Sequence, residues 1–230
     1  MTLLARFAPA SLTTSPVERM RAAIGAFIGI ALTGLVSTAW LGTGAGPLLL
    51  IAPMGASAVL LFGVPASPLA QPWSIIGGNL VAALIGVTAA RWVPSPLLAA
   101  SLAVSCSLAA MSLLRCIHPP SGAVALTAVL GGPHIAMLGY EFVIVPVALN
   151  SVLLLTIALV YNNATQRSYP HHAHPPAHPH EPATPLMLNP DDVDAILADY
   201  GEPLDISRED LEMLLRELLG RIEQRAASTL

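Results

Sequence analysis

Between Ala22 and Val160 the chain runs for 139 residues with three charged side chains, Arg91, Arg115 and Glu141. The other 91 of its 230 residues hold the remaining 21 charges. An ordinary soluble domain is about one quarter charged, so a run this long and this poor in charge cannot present a solvated surface. It is material for a lipid bilayer, joined to an aqueous tail. Residues 1–170 carry six Arg against two Glu, or +4, and the remainder carries four Arg against twelve acids, or −8, which together make the net −4. With no Lys and no cluster of Arg, the chain lacks the cationic face that nucleic acid requires. Cys106 and Cys116 lie in or beside apolar sequence, which argues against a secreted disulfide framework.

A spanning helix takes about 20 apolar residues and must satisfy its own backbone. Residues 20–40, 72–92, 96–114 and 142–161 meet that length. Residues 48–64 and 120–138 are shorter and are interrupted by Pro, Gly or both near their starts. Arg19 and Arg21 precede a long apolar run with no cleavage pattern, so the first span is expected to be retained. Arg6, Arg19, Arg21 and Arg167 flank the apolar part and predict a multi-pass protein of the cytoplasmic membrane with both termini inside. The number of crossings is then even. Four crossings with two re-entrant segments is the preferred path; six crossings, with the broken segments also passing through, is the alternative.

The two halves are weakly alike. Pro53-Met54-Gly55-Ala56-Ser57-Ala58 aligns with Pro120-Ser121-Gly122-Ala123-Val124-Ala125 at an offset of 67, and Asn79 aligns with Asn150 at an offset of 71. A duplicated unit of long span, broken short segment and long span is a transporter signature, with the site where the broken helices meet; small residues at helix-packing faces are the plainer explanation. In Arg115-Cys116-Ile117-His118-Pro119-Pro120-Ser121-Gly122-Ala123, two prolines stop one helix and Pro-Ser suits the first turn of another. A helix starting at membrane depth would turn the N–H groups of about Gly122 to Ala125 toward an anion. Gly122, and Pro53 with Gly55 in the other half, would let it approach. His118 is then a donor or proton acceptor for that anion, or a neutral packing residue. Asn79 and Asn150 either bridge helices or line the pocket. Arg115 and Glu141 are either residues of an access path or interfacial side chains reaching the membrane surface.

His118-Pro119-Pro120-Ser121-Gly122-Ala123, set between apolar helices and preceded by Pro53-Met54-Gly55-Ala56-Ser57, resembles the HPP family of integral membrane proteins over residues 18–162. The resemblance implies four spanning helices. Plant and cyanobacterial members are associated with nitrite transport, so it also implies a domain that handles a small anion, nitrite first. The substrate-binding set expected from residues and resemblance together is His118, Pro119, Pro120, Ser121, Gly122, Ala123, Pro53, Gly55, Ser57, Asn79 and Asn150.

After a cytoplasmic segment, 1–17, and the membrane domain, 18–165, a linker at 166–188 is rich in His and Pro and is expected to stay extended from Tyr169. His171, His172, His174, His178 and His180 are separated by prolines that deny them a fixed ligand geometry, so no metal site is expected. Residues 189–230 read as two amphipathic helices. Asn189-Pro190-Asp191-Asp192 starts the first and Gly201 stops it, with Val193, Ile196, Leu197 and Tyr200 on one face. Ser207 and Asp210 cap the second, with Leu211, Leu214, Leu215, Leu218, Leu219 and Ile222 on one stripe. Such a tail must pack on something: another copy, the membrane domain or a separate protein. Residues 191–216 are similar to the connector that precedes paired CBS domains in longer HPP proteins, and with the chain ending at Leu230 no CBS domain is expected. No nucleophile, paired carboxylates or metal ligands share a readable constellation, so neither an enzyme nor a cofactor is expected. The fold expected is therefore all-α and membrane-integral, with four long helices, two broken ones and a small helical tail. The function expected is transport of a small anion, or else a membrane anchor or sensor acting through the tail.

Overall fold

The structure is a computed structural model that describes residues 15–41, 50–172, 193–194, 197 and 206–228. The regular elements among the described residues are all helices, without strands. Four helices are long and apolar enough to span: α1 (Pro16–Leu41), α3 (Pro72–Trp92), α4 (Pro96–Leu113) and the run Val143–Ala164, which ends in α7 (Leu149–Ala164). Two eleven-residue helices, α2 (Pro53–Gly63) and α5 (Pro120–Leu130), fall where the broken segments were expected. A six-residue α6 (Pro133–Leu138) and a tail helix α8 (Arg208–Ser228) complete the set. Proline stands at the first position of α2 to α6, where the missing N–H costs nothing and φ is already helical. Before α7, Pro146 sits in a wide turn over Val143–Ala148, and Val145 leaves helical backbone angles at the kink.

Side-chain contacts fix how the helices run. Arg21, near the start of α1, donates to the Phe62 carbonyl at the end of α2 and to Asn162 near the end of α7, at 2.8 and 2.9 Å. These three ends therefore share one face of the bundle, the near end. Tyr169 donates to Ala70 just before α3, and Trp73 to Leu114 just after α4, which adds those ends to it. Thr88, late in α3, meets the Tyr140 hydroxyl just before the last span, at the opposite or far end. The helices thus alternate in direction, and each short helix ends on the face opposite the one where the preceding long helix ended. Of the two paths open to the sequence, the chain follows the one with six traverses, four by long helices and two completed by short ones. The preference for re-entrant segments is corrected: α2 and α5 start at depth and run out to opposite faces.

The duplication extends to burial. On α2 and α5 the buried positions Pro53, Met54, Ser57, Ala58 and Leu61 correspond to Pro120, Ser121, Val124, Ala125 and Ala128. At the offset of 71, Ile75, Asn79, Ala83 and Val87 of α3 match Pro146, Asn150, Leu154 and Ala158. At an offset of 74, Gly25, Gly29, Thr33 and Ser37 of α1 match Ala99, Ala103, Ser107 and Met111 of α4. All are buried, so two units, α1–α3 and α4–α7 with the short α6 as an addition to the second, are related by inversion, with equivalent faces turned inward. Small residues let the helices approach: a Cβ on Gly25 or Gly29 would come within 2.6 Å of the Phe62 ring.

The linker is corrected at its first residues. Tyr169 is 2% exposed and belongs to the core, and His171 donates its amide to Gln71 while its ring meets Asp210 of α8 at 2.9 Å. Ser207 caps α8 as expected, accepting from the Asp210 amide at 3.1 Å. His174, His178, His180, Asn189-Pro190-Asp191-Asp192, Ile196, Tyr200 and Gly201 lie outside the described residues.

Candidate functional site

The starts of α2 and α5 meet inside the bundle, and the contact between them is polar. His118, fully buried, faces the Ser57 hydroxyl through Nε2 at 2.8 Å and the Leu69 carbonyl through Nδ1 at 2.9 Å. A carbonyl only accepts, so Nδ1 carries the proton and Nε2 accepts from Ser57. This bond joins the halves, because Ser57 lies on α2 and His118 just before α5. Gly78 makes room for it: a Cβ there would stand 2.8 Å from the His118 Cβ and 2.9 Å from both the Cys116 carbonyl and the Ser121 hydroxyl.

The two asparagines brace the helix starts crosswise. Asn79 of α3 accepts from the Ser121 hydroxyl on α5 at 2.8 Å and donates to Ser151 on α7 at 2.9 Å. Asn150 of α7 accepts from the Ile51 amide, which leads into α2, at 3.1 Å, and donates to Ser37 on α1 at 3.2 Å. Each half thus supplies the amide that holds the other half's broken helix. Between bridging and pocket-lining, the asparagines bridge in this arrangement.

The expectation of free first-turn donors is corrected in part. The Ser121 amide donates to the His118 carbonyl at 2.9 Å and that of Gly122 to the Pro119 carbonyl at 3.1 Å. What is open at both starts is the space beside the glycines, since among the described residues a Cβ on Gly55 or Gly122 would meet nothing within 4 Å. Pro53, Pro120, Ser57 and Ser121 are buried, whereas Pro119 and Ala123 are exposed. Arg115 and Glu141 stand exposed beyond α4 at the near end and before the last span at the far end, so the structure does not bring them together.

Sequence reasoning missed three groups. Arg21, read only as a topology signal, and Asn162 cap the carbonyl end of α2: Asn162 donates to the Leu61 carbonyl at 3.0 Å. Glu18 pairs with both Arg21 and Arg167 at 2.7 Å and ties α1 to the end of α7. Thr33 and Ser107, at equivalent positions on α1 and α4, are fully buried, and among the described residues their hydroxyls have no partner. The offset of 74 that pairs them was the available signal.

Residues 11–170 match the model of the family described as HPP, transmembrane region. The chain belongs to the HPP family. The His118-Pro119-Pro120 break and its Pro53 counterpart lie within the matched residues. Two curated transmembrane proteins of Dictyostelium discoideum are similar to this HPP chain. One is 41% identical over 126 residues, 53% of this chain and 44% of the relative, and the other is 39% identical over 128 residues, 54% and 41%. The match covers less than half the length of these relatives. No solved structure matches.

Proposed function

We propose that this HPP chain transports a small inorganic anion, nitrite first, by moving one inverted half against the other around the crossed starts of α2 and α5. The observation that carries the reading is that two half-helices from inverted units begin at depth and touch through one exchangeable bond, Ser57 to His118. Parting the halves frees a hydroxyl donor at the positive ends of two helix dipoles. Gly55 and Gly122 leave the adjoining turns uncovered, and the unpartnered Thr33 and Ser107 hydroxyls add two further donors. The near end carries Arg19, Arg21, Arg115 and Arg167 against Arg91 at the far end, which supports a cytoplasmic near end with both termini inside.

The test is flux into proteoliposomes of nitrite, nitrate, formate and bicarbonate, with absence of flux for all four as the refuting result. His118→Ala and Ser57→Ala should each reduce flux at unchanged protein yield. Unchanged flux in both would return the pair to packing.

One observation favours a second reading, a membrane anchor or sensor that signals through its tail. Asp210 of α8 holds His171 against Gln71, while Leu214, Leu218 and Ile222 are each more than half exposed on one stripe and await a second copy or another protein. Deletion from Asp191 separates the readings: flux survives in a transporter, and partner binding is lost in a sensor.

A further inference from the structure

The inverted halves bury corresponding positions, and at one pair of corresponding places their packing differs. At the near end the carbonyl end of α2 is sealed. Leu61 and Phe62 are buried, Phe62 packs edge-on against Tyr161 with ring centres 5.6 Å apart, and Arg21 and Asn162 take the last carbonyls. At the far end, the offset of 67 puts Ala128 and Val129 where Leu61 and Phe62 stand, and the offset of 71 puts Ala90 and Arg91 where Tyr161 and Asn162 stand. Smaller side chains leave a cavity of about 120 Å³ between α3, α5 and α6, lined by Val87, Ala128, Ile135 and Ala136, with Arg91 and Gly139 at its side.

We propose that this cavity is the loading vestibule for the transported anion, that Arg91 is its capture cation, and that the sealed near end is its closed counterpart. The class of solute rests on the transport reading; the asymmetry between the ends does not. Both α3 and α5 end at this face, and their carbonyls would repel an anion, so a cation is needed to reverse the sign. Arg91 supplies it and, among the described residues, makes no hydrogen bond or ion pair, whereas Arg21 and Arg167 share Glu18. Among the described residues no carboxylate lines the cavity, and apart from Arg91 its lining is uncharged. The guanidinium fork fits a planar oxyanion. Gly139 has φ +52°, and a Cβ there would stand 3.9 Å from the Arg91 Nη1, so glycine both permits the turn and leaves the guanidinium uncovered. At about 120 Å³ the space is well below the roughly 300–1,000 Å³ of metabolite pockets, which selects an inorganic ion or formate. Toward the bundle centre it closes where a Cβ on Gly86 would stand 2.8 Å from the Ala125 carbonyl and the Ala128 Cβ. The vestibule is therefore a dead end until the halves move.

The experiment uses the full chain. In detergent at constant ionic strength, sodium nitrite replacing sodium gluconate should raise the unfolding temperature. Arg91→Gln and Ala136→Phe, which fills the cavity, should abolish the rise, and Arg115→Gln should keep it. In proteoliposomes Arg91→Gln should raise the half-saturating nitrite concentration about tenfold with maximal flux retained. An undiminished rise in Arg91→Gln, or an equal loss in Arg115→Gln, overturns the proposal. Absence of wild-type flux would overturn the transport reading, while a nitrite-dependent rise lost only with Arg91 and the cavity would leave the site standing.

Discussion

At His118, geometry assigns the proton without titration, since one ring nitrogen faces a carbonyl and the other a hydroxyl. The neighbouring glycines separate packing from function. Gly78→Ala forces a Cβ into His118, Cys116 and Ser121, and overpacking of this kind costs about 1–3 kcal/mol, to be read as a fall in unfolding temperature. Gly122→Ala meets open space and should leave stability within about 0.5 kcal/mol, yet reduce flux if the anion passes there. Thr33→Val and Ser107→Ala remove buried hydroxyls that no group among the described residues satisfies, so the double variant should be as stable as wild type or more so. A loss of flux in that stable variant would mark the hydroxyls as solute contacts, and a loss of stability would show that each has a structural partner. None of these distinctions is legible in local sequence. The Pro-Pro break is, because it acts on the residues beside it, whereas Ser57 and His118 stand 61 positions apart.

The elements themselves were readable where one local rule decides. The span 72–92 expected from hydropathy coincides with α3, and the 120–138 stretch divides at Gly131-Gly132-Pro133 into α5 and α6 because proline opens a new helix there. The start of the linker is not legible for the opposite reason: composition from Tyr169 onward is polar and proline-rich, but the Tyr169 ring is buried in the bundle. Burial pushes the Tyr169 phenol above its ordinary value, so it remains a donor to the Ala70 carbonyl throughout the neutral range. Above about pH 10 the phenol ionises first in the unfolded chain. The folded state then holds the extra proton, and stability falls with rising pH. Unfolding measured from pH 8 upward should show this fall in wild type and not in Tyr169→Phe. The variant should itself lose about 1 kcal/mol for the missing bond. Identical alkaline slopes would remove Tyr169 from the near-end packing.

For the whole molecule, charge counts could not choose between four and six crossings, because Arg91 and Arg115 exchange sides between the two paths. Contacts choose: Arg115 follows α4 to the near end, and Glu141 lies beside Tyr140 at the far end. With Cys106 and Cys116 replaced, Arg115→Cys and Glu141→Cys should react with a membrane-impermeant maleimide from opposite sides of the bilayer. Labelling from the same side would restore the re-entrant path. The inversion also has a consequence for synthesis. The Ile51 amide waits for Asn150, made 99 residues later, so the first half enters lipid with a polar debt that only the last helix can settle. Chains stopped at Gly139 should therefore insert yet stay open to protease, and should tighten when residues 140–172 are supplied as a second polypeptide. That result would make insertion and folding separate events for this molecule, joined by the translation of α7.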